Sequence, residues 1–378
     1  MRIAVNTRFL LHNQLEGIGT FSHQVLCRLV RQHPEHEFIF IFDRPWHEEF
    51  IYADNVTPLS VFPQARHPVL FYWWFEWSLP RIFKKMQADV FFSPDGYLSL
   101  RANLPQYPVF HDLAFEHYPE DVPKLASLHY RHYFPRYAEK AQRVLTVSEF
   151  SKKDIVEQYG LSKDKIDVVY NGADELYQPL DKAEQAKVKE AYTHGKDFFL
   201  YVGALHQRKN ITRLLRAYLT YLDACETRGE QAKLLVIVGR KAWGTSEMEE
   251  VYEANERLQN HVHFTGRLSL KDLAGVMASA FCHINVSYFE GFGIPILESM
   301  KCGVPVITSQ NSPMEEVGGT AAITVDPFDI GSISDVLVQM HLEKGLRETM
   351  ATNCQNEARR FSWQQTANSV WNALMKGS

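Results

Sequence analysis

The sequence has no long hydrophobic run. The longest, residues 69–75, is seven residues and is closed by Glu76, against the roughly 20 that a spanning helix needs, so no membrane crossing is expected. Closely paired cysteines are also missing. The five present (Cys27, Cys225, Cys282, Cys302 and Cys354) are scattered with no C-x-x-C pair, which argues against zinc or dithiol redox chemistry and reads as reduced thiols of a cytoplasmic protein. Positive charge is not in excess: 40 Lys and Arg stand against 45 Asp and Glu, for a net −5. A nucleic-acid partner is therefore not expected, and any anion site has to be local. The start, Met1-Arg2 followed by Ile3-Ala4-Val5, is too short and too soon polar for a secretory leader. No low-complexity stretch, short repeat or D-x-D run occurs, so no obvious carboxylate pair would hold magnesium on phosphates, and neither metal nor cofactor is expected.

What is present is a globular composition, 45% hydrophobic over 378 residues, a length that favours two domains. Short β-branched and aromatic runs alternate with segments of helical period, the pattern of parallel βαβ units. The first half carries such runs at 2–6, 38–42, 57–61, 89–93, 107–111, 143–147 and 166–170, and the second at 198–202, 234–238, 262–265, 281–286, 304–308 and 321–325. Most of the second set are apolar enough to be buried on both faces. The stretch from Asn171 to Lys196, with Asn-Gly, Gln-Pro and a charged run, marks the boundary. The expected division is an N-terminal domain over 1–175, a linker over 176–195, a C-terminal domain over 196–360, and a helix over 361–378 that packs back toward the N-terminal domain. In open α/β sheets ligands sit beyond the carboxyl ends of the strands, which is where chemistry is sought.

After the run 198–202 comes Gly203-Ala204-Leu205-His206-Gln207-Arg208-Lys209-Asn210, then a helical pattern. Asn210 reads as its N-cap. Arg208 and Lys209 then sit before a helix N-terminus, a position that suits a diphosphate. The segment Tyr288-Phe289-Glu290-Gly291-Phe292-Gly293-Ile294-Pro295-Ile296-Leu297-Glu298 leaves a buried strand and enters a short helix, with Pro295 in its first turn. Glu290 falls on the loop and Glu298 about one turn into the helix, so the two carboxylates reach different parts of one ligand.

In the first half, Gly17-Ile18-Gly19-Thr20 opens a helix and allows close backbone approach, but Ser22 stands where a dinucleotide fingerprint wants glycine. Both a nicotinamide site and a plain turn stay open there. His111-Asp112 ends a strand, where the histidine reads either as a structural residue or as a sugar ligand or acceptor-side polar group. His129 and His132 share a helical face but find no third metal ligand, and read as surface or acceptor-side residues. The aromatic segment 70–77, with Arg81, Lys84 and Lys85 after it, fits an anionic membrane surface or, the favoured reading, a helix packed into the core.

Taken in order, these pieces resemble glycosyltransferase family 4, the retaining group with GT-B architecture. The signature is E-x7-E, here Glu290 and Glu298, followed by Cys302-Gly303-Val304-Pro305-Val306-Ile307. The early glycine loop, His111-Asp112-Leu113, Val147-Ser148-Glu149-Phe150-Ser151, Asn171-Gly172, Arg208-Lys209-Asn210 and Glu315-Glu316-Val317-Gly318 fall in family order, so the likeness covers nearly the whole chain. It implies two Rossmann-like domains with parallel sheets facing a central cleft. It also implies that Arg208 and Lys209 hold a donor diphosphate, that Glu298 bonds the ribose and that Glu290 faces the transferred sugar. Backbone at Phe292, Gly293 and Ile294 would meet sugar and phosphate, Gly19 the phosphates, and Gly239 and Leu268 the base. Gly17, His111 and Asp112 would serve the acceptor, His111 also the reaction. Some members carry an arginine where Ala204 stands, which would shift phosphate charge onto Arg208 and Lys209.

Within the family, His-Asp-Leu and Arg-Lys-Asn are similar to bacterial mannosyltransferases of surface-polysaccharide assembly. The expected donor is then GDP-mannose and the acceptor a glycan or polyprenyl-linked saccharide, with peripheral contact at the inner membrane face giving the aromatic segment a purpose. The alternatives are a nicotinamide-dependent sugar-modifying enzyme and a non-catalytic sugar-nucleotide binder.

Overall fold

The computed structural model describes residues 1–65, 67–240 and 246–376. The chain forms two compact units, Met1–Gly172 with Ser362–Ser378, and Ala173–Phe361. In the first, strands β1 (Arg2–Asn6), β2 (Glu37–Phe42), β3 (Val56–Ser60), β4 (Val90–Ser93), β5 (Gln106–Phe110), β6 (Val144–Thr146) and β7 (Ile166–Val168) make a seven-stranded sheet in the order β3-β2-β1-β4-β5-β6-β7. The second holds β8 (Phe198–Val202), β9 (Leu234–Val238), β10 (Val262–Gly266), β11 (Cys282–Asn285), β12 (Val306–Ser309) and β13 (Ala322–Val325), ordered β10-β9-β8-β11-β12-β13. All pairings are parallel. Each apolar run of the sequence corresponds to one of these strands, because helices on both faces demand near-continuous hydrophobicity.

Both orders are doubly wound, reversing direction once: between β1 and β4 in the first sheet, and between β8 and β11 in the second. Such switch points leave a crevice at the strands' carboxyl ends. In the second unit, one face of the sheet packs Leu214, Tyr218 and Tyr221 of the helix Ile211–Arg228 and Ile333 and Leu337 of the helix Ile330–Leu342 against Phe199, Leu235 and Ile284. The other packs Met277, Cys302 and Tyr177 against Leu200 and Val236. Each fully buried aliphatic or aromatic side chain contributes about 1.5–3 kcal/mol, so the strands are rigid supports for the loops at their ends.

Residues 176–195 are not a bare linker. They contain the helix Lys182–Thr193, opened by a capping box in which Asp181 accepts from the Glu184 backbone and Glu184 accepts from that of Asp181. Val188 and Tyr192 pack onto the second unit's core. The charged composition that reads as linker is the solvent face of this helix. The C-terminal helix Trp363–Lys376 lies in the first unit, where Trp363 meets Phe21 edge-on at 6.2 Å and Trp371 stacks on His33 at 3.5 Å.

Candidate active site

The second unit's switch point is built from the segments that leave β8 and β11. Beyond β8, His206 accepts the backbone N–H of Arg208 and starts a 3-10 turn, Gln207–Lys209, that lifts two cations off the sheet edge. Beyond β11, the loop carries Glu290 back to them. The Arg208 guanidinium donates to the Phe289 carbonyl at 2.9 Å and to Glu290 Oε2 at 2.9 Å, while the Lys209 ammonium donates to Glu290 Oε1. Tyr288 N–H donates to the Arg208 carbonyl at 3.1 Å, zipping the two loops. Glu290 is 7% exposed. Burial pushes its pKa up, but Lys209 and Arg208 outweigh that and hold it at about 2. Two cations and one carboxylate leave the cluster one positive charge at neutral pH, near the start of the helix Ile294–Lys301, whose dipole adds positive potential.

That helix follows Gly293, which sits at φ 93° in the left-handed region, with Pro295 in the first turn. Phe292 turns its ring inward, edge-on to Phe361 at 5.5 Å. Glu298 is partly buried and burial raises its pKa to about 7, opposed by a hydrogen bond from Tyr177. Lys301 does not neutralise it directly, since its ammonium donates to the carbonyls of Ala173 and Asp174 at 3.4 and 2.7 Å. On the other flank, Gly239 N–H donates to the Gly266 carbonyl at 3.0 Å, and a Cβ on Gly239 would stand 1.8 Å from the Gly203 carbonyl oxygen. Gly239, Leu268, Arg208, Lys209, Glu290, Phe292, Gly293, Ile294 and Glu298 therefore all belong to strand ends or adjoining segments of one unit.

Asn210 departs from its expected role. It makes no side-chain cap on the helix; it adopts φ 64° and turns its amide toward Val286 and Pro327. Sequence reasoning also gave no part to Tyr177, whose hydroxyl bonds Glu298.

In the first unit, His111 follows β5 and donates its Nε2–H to the Pro94 carbonyl at 2.7 Å, with Phe21 edge-on at 5.1 Å. Burial lowers its pKa and keeps the ring neutral, so Nδ1 is an acceptor. Asp112 accepts the Ala114 backbone N–H at 3.0 Å, an Asx turn. Gly17 precedes the helix Ile18–Gln32, and a Cβ on Gly19 would lie 2.7 Å from the Phe9 carbonyl oxygen, so chain packing alone demands glycine there. His132 accepts from Arg136, and His129 is partly buried, with Tyr133 and Phe71 ring centroids at 4.5 and 6.0 Å. Among the described residues, three potential metal ligands meet at His12, His47 and Glu49, all exposed.

Family models match both parts: one described as "Glycosyltransferase Family 4" over residues 15–175, and one described as "Glycosyl transferases group 1" over residues 182–357. The O-antigen chain mannosyltransferase B of Escherichia coli is 30% identical over 285 residues, covering 75% of this chain and 73% of that protein. The chain belongs to glycosyltransferase family 4. A second relative of this glycosyltransferase, the O-antigen chain mannosyltransferase RfbU of Salmonella typhimurium, is 27% identical over 58% of the chain and 56% of its own length, so the match spans little more than half of that protein. Among solved structures, Anabaena Alr3699/HepE in complex with UDP and glucose superposes with a TM-score of 0.75 over 100% of both chains at 17% identity. That likeness establishes the GT-B fold of the glycosyltransferase.

Proposed function

We propose that the enzyme transfers mannose, with retention of configuration, from GDP-mannose to a glycan or polyprenyl-linked saccharide in surface-polysaccharide synthesis. The choice of sugar is supported by the two O-antigen mannosyltransferases among its relatives. The observation that carries the donor site is the convergence of Arg208 and Lys209 on Glu290 at the second sheet's switch point. In this reading the two cations take the diphosphate, Glu298 the ribose, and Gly239 and Leu268 the base. Amides at Phe292, Gly293 and Ile294 meet the sugar and phosphate, and Glu290 the transferred mannose. Gly17, His111 and Asp112 serve the acceptor. No metal or cofactor takes part, because Arg208, Lys209 and the helix N-terminus supply the positive potential.

The bond from the anomeric carbon to the diphosphate oxygen breaks, and its electron pair leaves with the diphosphate. The acceptor hydroxyl bonds the same face of the sugar and passes its proton to a phosphate oxygen, so no protein base is needed. Stabilising the charge that grows on the diphosphate is the main catalytic task, and one preorganised donor contributes about 3–4 kcal/mol to it. Replacing Lys209 by alanine is expected to lower turnover at least about a hundredfold in a chain that still folds, with a lower thermal midpoint because buried Glu290 keeps only Arg208 as its cation. Turnover equal to the wild type's would remove the diphosphate assignment.

A further inference from the structure

Asn210 sits where the cation-bearing turn meets the helix Ile211–Arg228, and it is 3% exposed. Its amide nitrogen donates to the Val286 carbonyl at 3.0 Å and to the Pro327 carbonyl at 2.6 Å, and Arg213 donates to its amide oxygen at 2.9 Å. Val286 begins the loop that carries Glu290, Pro327 follows β13, and Asn210 itself ends the loop from β8. One side chain therefore joins three segments that are remote in sequence, at the carboxyl edge of one sheet. Its backbone is used as well: the N–H donates to the Gln207 carbonyl at 2.9 Å, closing the turn, and the carbonyl accepts from Leu214 at 3.1 Å, starting the helix.

This is more than a loop needs for folding. A helix start asks only for an acceptor side chain that reaches its second or third N–H, and Asn210 provides none. Its left-handed φ of 64° is a conformation that asparagine tolerates and most residues do not. Both amide protons are spent, on the Val286 and Pro327 carbonyls, so aspartate, with no protons to give, could not substitute.

We propose that Asn210 is the positioning residue that fixes Arg208 and Lys209 for a diphosphate, by tying the β8 loop to the segments after β11 and β13. The proposal rests on the reading that these two cations take the donor's diphosphate. With the tie in place, both ammonium and guanidinium are aimed before any ligand arrives, which is what makes a cationic site effective in the transition state. Without it, the turn keeps its charges but loses their direction.

The test compares GDP with GMP, because only the second phosphate reports on the pair. Calorimetric titrations are made on the wild type, Lys209→Ala, Asn210→Gly and Asn210→Asp. Glycine keeps the left-handed backbone without strain and removes only the side-chain tie. The wild type is expected to bind GDP at least about tenfold more tightly than GMP. That ratio falls to near one in Lys209→Ala and Asn210→Gly, with GMP affinity held within about twofold, and falls furthest in Asn210→Asp. A full ratio in Asn210→Gly beside a collapsed one in Lys209→Ala overturns this inference and leaves the diphosphate site standing. A full ratio in Lys209→Ala, or no GDP binding by the wild type, overturns the site itself. Equal losses of GDP and GMP affinity show a purely structural role and also overturn the inference. If Asn210→Gly does not fold, Arg213→Ala, which releases the amide oxygen and a contact with the Phe328 ring, carries the test beside Phe328→Ala, which removes only that ring: a ratio lowered about threefold in the first and not in the second is expected, and an unchanged ratio in the first, or equal losses in both, contradicts the tie.

Discussion

Glu290 and Glu298 stand on one loop-and-helix segment yet titrate in opposite directions. Glu290 is buried but paired, and its pKa is held at about 2 by Lys209 and Arg208. Its contribution to stability is present above the ordinary 4.5 and is lost as pH falls toward 2. Glu298 is desolvated with only a neutral hydroxyl as its direct partner, and its pKa rises to about 7. In the folded chain this carboxyl keeps a proton that the unfolded chain gives up above 4.5, so stability is complete at low pH and declines as pH rises through 7. Replacing Glu298 by glutamine is therefore expected to raise the thermal midpoint relative to the wild type at pH 8 but not at pH 4.5, by an amount equivalent to roughly 2 kcal/mol. If the carboxylate accepts ribose hydroxyls, wild-type affinity for GDP-mannose, whose diphosphate has no proton to lose in this range, rises with pH through about 7, and the glutamine variant shows weaker, pH-independent binding. A wild-type titration flat from pH 6 to 8 would contradict that role.

At the level of elements, the proposed donor site depends on strand ends that approach more closely than a side chain permits. A Cβ on Gly239 would lie 1.8 Å from the Gly203 carbonyl oxygen, backbone that cannot swing aside. Gly239→Ala is expected to cost about 2–3 kcal/mol in urea unfolding and to weaken GDP binding; a neutral substitution would mean that the β8 and β9 ends are not held together. The strands themselves were legible, since buried parallel strands have to be continuous apolar runs. Their ends shifted by a residue or two: 107–111 was expected where Gln106–Phe110 is found, because a histidine at the sheet edge does not interrupt an apolar pattern. The helix Lys182–Thr193 was misread from its charge, although its capping pair Asp181 and Glu184 was visible in the sequence. The aromatic segment defied a single assignment because it divides. Trp74, Phe75 and Glu76 are buried, whereas Tyr72, Trp73 and Trp77 are exposed on a helix with one π turn. Asn210 was the least legible residue of the site: asparagine before a helix pattern looks like a cap, and only the fold brings Val286 and Pro327 to its amide.

For the whole molecule, a net charge of −5 means that long-range attraction to a sugar nucleotide is weak and recognition has to come from the local cations. The same holds at a lipid surface. Among the described residues no helix is long and apolar enough to cross a membrane, but Val69, Tyr72, Trp73 and Trp77 are exposed beside Arg81 and Arg101, both of which lie over the Trp77 ring. Amphipathic surfaces of this kind bind anionic interfaces. The wild type is expected to sediment with phosphatidylglycerol vesicles, and the double variant Trp73→Ala, Trp77→Ala at least about fivefold less; no sedimentation of the wild type would remove the reason to place the enzyme at a membrane. Where the pyrophosphate rests is tested most directly by a crystal structure with GDP-mannose. The expected complex has the second, sugar-bearing phosphate within hydrogen-bonding distance of Arg208 and Lys209 and the ribose on Glu298. Phosphates bound elsewhere, with both cations still closed on Glu290, would contradict it.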